Sequence, residues 1–232
     1  MTFPELFERF ATKALPLNVS DATHLKFQAV ARYASAREGD APFKGNGSDQ
    51  IIFIARGSTK LVAQASQGRE QIVAFNFEGD MVSVPAKAAH VYSLIALEDC
   101  ELIYFPAQEF FRLAQEEAVM ISDMLDRALK ALARCREKTI ALGRKTAGER
   151  IASFLISMAE RIGDGAPDGI TMELPMSRRD IADSLGLTIE TVSRQLTDLR
   201  SAGIIQTPGR SRVVLTDMEA LKARAGHLLE AA

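Results

Sequence analysis

The segment MSRRDIADSLGLTIETVSRQL, residues 176–196, constrains this chain more than any other stretch. It holds two short helical patterns on either side of one Gly-Leu pair. Ser177 stands as an N-cap with Asp180 three residues on, a capping box built with the shorter acid. Ile181, Ala182 and Leu185 then supply one inward face, and Gly186 ends the helix. Thr188 caps a second helix whose inward face is Val192, Leu196 and Leu199, at i, i+4 and i+7. A turn of about three residues between two such helices is helix-turn-helix spacing.

Opposite the second apolar stripe lie Glu190, Ser193, Arg194 and Thr197, at i, i+3, i+4 and i+7. These side chains suit base edges: arginine bridges guanine O6 and N7, glutamate accepts from cytosine N4, and serine serves either strand. The same spacing also fits an ordinary solvated face with a Glu190–Arg194 ion pair worth about 0.2–0.5 kcal/mol. The next segment, AGIIQTPGRSRVVLTD (202–217), reads as strand, glycine-containing turn and strand, with Arg210 and Arg212 near the tip. Arginines there either reach phosphates or solubilise the turn.

The chain has 232 residues, enough for more than this unit. With 47% apolar and 25% charged residues it has the balance of a soluble globular protein. A net charge of −2 means that any nucleic-acid footprint is a local patch. No run reaches the ~18 uncharged apolar residues of a membrane span. The start, MTFPELFERF, lacks a basic region followed by an apolar one, so a cytoplasmic protein without membrane contact is expected. Cys100 and Cys135 form no CxxC pair, which points away from a disulfide framework or a zinc site. No glycine-rich phosphate loop, HExxH or GxSxG is present, so no enzyme is expected.

Residues 3–33 carry helical spacing through Phe3, Leu6, Phe7 and Phe10 and again around Leu25 and Phe27. A turn-rich stretch, residues 37–50, follows. From Ile51 to Phe105 short apolar runs alternate with Arg56-Gly57, Gln67-Gly68 and Gly79-Asp80, the texture of an antiparallel barrel or sandwich. After Pro106 a helical pattern runs from about 108 to Gly143. In it Ile121, Leu125, Ala128, Leu132, Cys135, Thr139 and Leu142 form an approximate heptad seam. The seam either joins two copies of the chain or packs on the chain's own barrel. A further helix closes at Gly163, and residues 164–174 form a turn-rich link with a short strand. The domains expected are 1–107 (sensor-like barrel), 108–143 (dimerisation helix) and 144–232 (winged helix-turn-helix).

This order of elements resembles the Crp/Fnr family of bacterial transcription regulators, and DIADSLGLTIETVSRQL is similar to the DNA-binding segment of its Fnr and FixK branches. The glycine rhythm of ARGSTKLV and NFEGD carries the likeness into the barrel. The resemblance implies an α+β fold: an N-terminal cyclic-nucleotide-binding-like β-barrel (jelly roll), a long dimerisation helix and a C-terminal winged helix-turn-helix. In such relatives the recognition helix holds E-x-x-S-R, here Glu190, Ser193 and Arg194. The residue before that glutamate is apolar in the Fnr branch, so Ile189 favours a TTG-N8-CAA-like palindrome, its side chain meeting a thymine methyl. Base reading is thereby expected from Ile189, Glu190, Ser193 and Arg194, and phosphate contact from Arg178, Thr188, Arg210 and Arg212. The implied partners are double-stranded DNA, a second copy of the chain and RNA polymerase, with activation the expected outcome.

Cyclic-nucleotide-binding relatives carry F-G-E-L and, further on, R-S-A or R-T-A, whose arginine pairs with the cyclic phosphate. Here Ser83-Val84 stand where Gly-Glu belongs and His90-Val91 where Arg-Ser belongs, so cAMP and cGMP are not expected. An iron-sulfur cluster within one chain is excluded, because two cysteines cannot supply four thiolates. Haem needs only one axial histidine, which His24 or His90 could supply, although nothing else in the sequence supports it. Cys135, in the seam, either lies near its symmetry mate as a redox-sensitive thiol or serves as a small buried apolar residue. The alternative function is a small-molecule-binding barrel whose C-terminal domain mediates protein contacts. That reading needs a neutral or apolar outward face on the second helix, and this face is polar and carries an arginine.

Overall fold

The run from Ile51 to Ala55 lacks the alternation of a half-solvated strand, and the computed structural model shows both faces of that strand covered. The structure describes residues 1–44, 47–64, 69–86, 88–166 and 169–226, in two units, Met1–Leu132 and Ala133–Ala232. The Gln67-Gly68 turn expected from the sequence lies outside the described residues.

The first unit opens with α1 (Phe3–Ala14), started by a Thr2/Glu5 capping box, and α2 (Asp21–Val30), capped by Ser20. Eight strands follow: β1 (Arg32–Ala36), β2 (Phe43–Lys44), β3 (Gln50–Arg56), β4 (Thr59–Gln64), β5 (Glu70–Asn76), β6 (Met81–Val84), β7 (Val91–Ala96) and β8 (Cys100–Pro106). They form two antiparallel sheets in the orders β1-β8-β3-β6 and β2-β7-β4-β5, a jelly roll. Ile52, Ile54 and Leu102 of the first sheet meet Leu94 and Ala96 of the second. The alternate residues Ile51, Phe53, Ile103 and Phe105 point the other way, into the helices. There Phe7, Phe10, Phe27 and Phe110 complete a fully buried aromatic cluster, with Phe10 and Phe105 centroids 4.8 Å apart. Each such ring contributes about 1.5–3 kcal/mol of burial.

The strand β1 begins inside the stretch that reads as helical, and β2 lies in one that reads as turn. Most of β1 is solvated, and β2 has two residues, so neither carries a periodic apolar signal. Gly57, between β3 and β4, has φ +87°, and a Cβ there would meet Asp99 O at 2.7 Å and Cys100 Sγ at 2.8 Å. No other residue fits that turn without displacing β8.

The expected helix from 108 to 143 is two helices, α3 (Ala107–Ala114) and α4 (Ala118–Arg144). The break has a physical cause in Glu117. Its carboxylate accepts hydrogen bonds from Ser20 Oγ (2.6 Å), Thr23 Oγ1 (2.9 Å) and Ser20 N (3.3 Å), which ties the chain to the start of α2. Those same bonds hold the Glu117 carboxyl below the usual carboxylate range.

In the second unit α5 (Ala147–Ile162) leads to β9 (Asp164–Ala166) and β10 (Gly169–Glu173), two strands where the sequence suggested one. Then come α6 (Arg178–Leu185), α7 (Ile189–Ser201), β11 (Ile205–Gln206), β12 (Arg212–Leu215) and α8 (Met218–Arg224). The strands join in the order β11-β12-β10-β9. Ile151, Leu155, Met158, Met172, Ile181, Val192, Val213, Leu215 and Leu221 form the buried interior.

Candidate nucleic-acid interface

Gly186 caps α6 in the left-handed region, at φ +62°, and only Leu187 and Thr188 separate it from α7. Thr188 Oγ1 accepts from the Thr191 amide at 3.2 Å, so α7 starts where the sequence places it. Val192, Leu196 and Leu199 are buried beneath, while Glu190, Ser193, Arg194 and Thr197 are exposed and Ile189 is half-buried.

Glu190 and Arg194 do not form the i,i+4 ion pair that their spacing allows. The Glu190 carboxyl is held below the usual carboxylate range by its own backbone amide and by the Thr188 hydroxyl. Arg194 makes no hydrogen bond or ion pair among the described residues. The Thr197 hydroxyl donates to Ser193 O at 3.0 Å and is engaged with its own helix.

Of the expected phosphate contacts, Thr188 is exposed at the start of α7, and Arg210 is exposed at the turn between β11 and β12. Arg212 faces Glu173 at 4.0 Å, and Ser211 donates to the same carboxylate at 2.8 Å. Arg210 is thus the less neutralised of the two. Arg178, the first residue of α6, is half-buried and shares a polar concavity with Ser193, Leu196, Thr197, Arg200 and Thr207. Arg200 and Thr207 were not found from the sequence. The only signal was a basic residue in the last turn of α7, which is common at helix C-termini for its effect on the dipole.

Two side chains hold α6 from behind. Arg150 donates to Lys145 O (2.9 Å), Leu142 O (2.9 Å) and Leu185 O (3.0 Å), so one guanidinium ties the end of α4 to the end of α6. Lys138 Nζ donates to Ser184 Oγ at 3.0 Å, and burial pulls its ammonium down to about 8.

Along α4 the seam residues Ile121, Leu125, Ala128, Leu132 and Cys135 are all exposed, and Leu129 and Ile140 add to the stripe. Leu142 leaves it, half-buried beside Gly186. Cys135 is a free, exposed thiol in the single chain. Cys100 is buried with Sγ 3.1 Å from both Ser58 O and Glu98 O, and burial pushes its thiol up to about 11. A thiol held neutral in this way is unreactive.

In the jelly roll Ser83 is exposed, Val84 is buried in the inter-sheet core, and His90 is exposed. The buried polar side chains described in this unit are Thr23, Ser58, Thr59 and Asn76, none of them charged. His24 lies edge-on to Phe7 at 5.2 Å. No helix among the described residues is long and apolar enough to cross a membrane.

Residues 149–224 match the family model of the Crp-like helix-turn-helix domain, and residues 35–117 that of the cyclic nucleotide-binding domain. A probable transcriptional activator of Rhizobium leguminosarum is 37% identical over 77% of this chain and 75% of its own length. The nitrogen fixation regulation protein FixK of Azorhizobium caulinodans is 36% identical over 75% of this chain and 71% of its own length. The solved structure of FixK2 from Bradyrhizobium japonicum, 29% identical, superposes with a TM-score of 0.73 over 88% of this chain and all of that one. With its jelly roll, its long helix and a DNA-binding winged helix-turn-helix, the chain belongs to the Crp/Fnr family of transcription regulators.

Proposed function

We propose that the protein is a homodimeric, cytoplasmic transcription activator that sets α7 of each subunit over one half of a TTG-N8-CAA-like palindrome. The observation that carries this reading is the solvent-facing side of α7, where Arg194 stands free of Glu190. A guanidinium without an internal partner keeps its forked donors for guanine O6 and N7, and the Glu190 carboxylate is an acceptor for cytosine N4. Ile189 meets a thymine methyl, and Ser193 refines the reading. Arg178, Thr188, Arg210 and Arg212 take phosphates and set register. Half-sites one turn apart, about 34 Å, demand two copies of α7 at that spacing.

The uncovered stripe of α4 supports the dimer, since a helix face with Ile121, Leu125 and Leu132 in water is unfavourable until a second copy covers it. Cys135 continues that stripe, so oxidation would link two chains there. The relatives named as transcriptional activators support activation, which implies contact with RNA polymerase. The jelly roll takes neither cAMP nor cGMP in this reading. A cyclic phosphate needs a cation, and His90-Val91 stand where the cassette carries its Arg-Ser, while Val84 is buried in the inter-sheet core. No other cofactor enters the reading, haem included: His24 packs on a phenylalanine and His90 sits in solvent.

The test is binding of the full chain to palindromic and scrambled duplexes, in air, with and without thiol reductant and without nucleotide. Two subunits per duplex and at least a thousandfold preference for the palindrome are expected, the lower end of specific recognition, about 10³. Equal affinity for the two duplexes sinks the reading. Binding that needs reductant places control at Cys135.

A further inference from the structure

One polar concavity stands beside the base-reading face. It encloses about 200 Å³ and is lined by Arg178 at the start of α6, by Ser193, Leu196, Thr197 and Arg200 along α7, and by Thr207 just past β11. Two guanidiniums share it, and none of its lining residues is a carboxylate. Arg178 Nη1 is shut away from solvent and has no hydrogen-bond partner among the described residues. Burial, and after it the charge of Arg200, weakens Arg178's hold on its proton. Arginine nonetheless stays charged, so the strain remains as repulsion. Arg200 is exposed and makes no ion pair among the described residues.

Two cations and a buried donor without an acceptor, held together with no internal counter-charge, are complementary to an anion with several oxygens. The hydroxyls of Ser193 and Thr207 add donors that no internal bond uses, whereas that of Thr197 is turned to the Ser193 carbonyl. We infer that Arg178, Arg200 and Thr207 form a clasp for one phosphodiester of the duplex backbone, with Ser193 between the clasp and the base-reading face. The diester is favoured over free phosphate because the concavity adjoins Arg194 through Ser193 on α7, which brings the strand to the clasp. The inference rests on α7 being the groove helix, but a phosphate contact carries no sequence information and is tested separately.

The experiment compares the full chain with Arg200→Gln on palindromic and scrambled duplexes between about 50 and 200 mM salt. Arg200 is exposed, so the variant's melting temperature should match the wild type. Affinity should fall by the same factor on both duplexes. The slope of log K against log salt should shrink by about 0.9 for each clasp removed, close to two per dimer. A palindrome carrying single methylphosphonates should show one position per half-site that weakens wild-type binding and leaves the variant indifferent. Thr207→Val should lose affinity several-fold with its slope unchanged. An unaltered slope in Arg200→Gln, with palindrome preference intact, overturns the clasp and leaves the base reading standing. A wild type without palindrome preference whose slope still falls in the variant supports the clasp and removes the operator assignment. Arg200-dependent thermal stabilisation by inorganic phosphate, with no change in the DNA slope, makes free phosphate the ligand and overturns the backbone assignment.

Discussion

Opposite charges four residues apart on a helix commonly pair, and Glu190 and Arg194 do not. Glu190 sits in the first turn of α7 next to its cap, and Arg194 is left to solvent. An internal ion pair would have to be broken before either side chain met a base, so the observed arrangement leaves the reading residues prepared. Replacing Arg194 with alanine should relax preference at one base position by about 1–3 kcal/mol while leaving binding to scrambled DNA nearly unchanged. Competition binding against duplexes varied one base pair at a time measures this. Unaltered preference would move the reading role off α7. At this scale the site was legible wherever helical period alone decides, as for Glu190, Ser193 and Arg194. Arg200 and Thr207 were not legible, because their meeting with Arg178 depends on how α6, α7 and β11 pack, which no spacing encodes.

Elements of this chain are positioned by a few polar side chains at their ends. Glu117 splits what reads as one helix into α3 and α4, a tertiary hydrogen-bond set that no local pattern announces. The strands β3 and β8 were legible as strands, while the coverage of both their faces is explained by the phenylalanines of α1, α2 and α3. Lys138 gives α6 a pH-sensitive support. In the unfolded chain a lysine keeps its proton to about pH 10.4, whereas burial brings Lys138 down to about 8. Between those values the unfolded state binds the extra proton, so stability rises with pH across that window and is lowest below it. The rise should be on the order of 2–3 kcal/mol and absent in Lys138→Met. Urea unfolding of both proteins at about pH 7.5 and about pH 10 isolates it, since Cys100 and the tyrosines titrate alike in each. An equal change in the two proteins would show that the buried ammonium is not its source.

At the scale of the whole molecule a net charge of −2 has to coexist with affinity for a polyanion, and local distribution resolves the conflict. Arg178, Arg194, Arg200 and Arg210 all belong to α6, α7 and the turn beyond β11, so four cations serve the surface proposed to read DNA. Such a patch on one chain is a weak device, because a single helix meets only a few base pairs. Joining two copies makes the second half-site encounter intramolecular, and linkage of this kind raises affinity by about 10²–10⁴ without any new contact. The stripe on α4 is where that joining is expected, with Leu125 59% and Leu132 44% exposed in the single chain. Leu125→Glu combined with Leu132→Glu should leave the fold intact, since neither side chain packs in an interior, and should yield monomers by sedimentation. Their affinity for the palindrome should drop by about 10²-fold or more towards that for a lone half-site, which the wild type also shows on a duplex carrying one half-site. A variant that stays dimeric, or binds the palindrome as tightly as before, would place the two-fold contact elsewhere on the molecule.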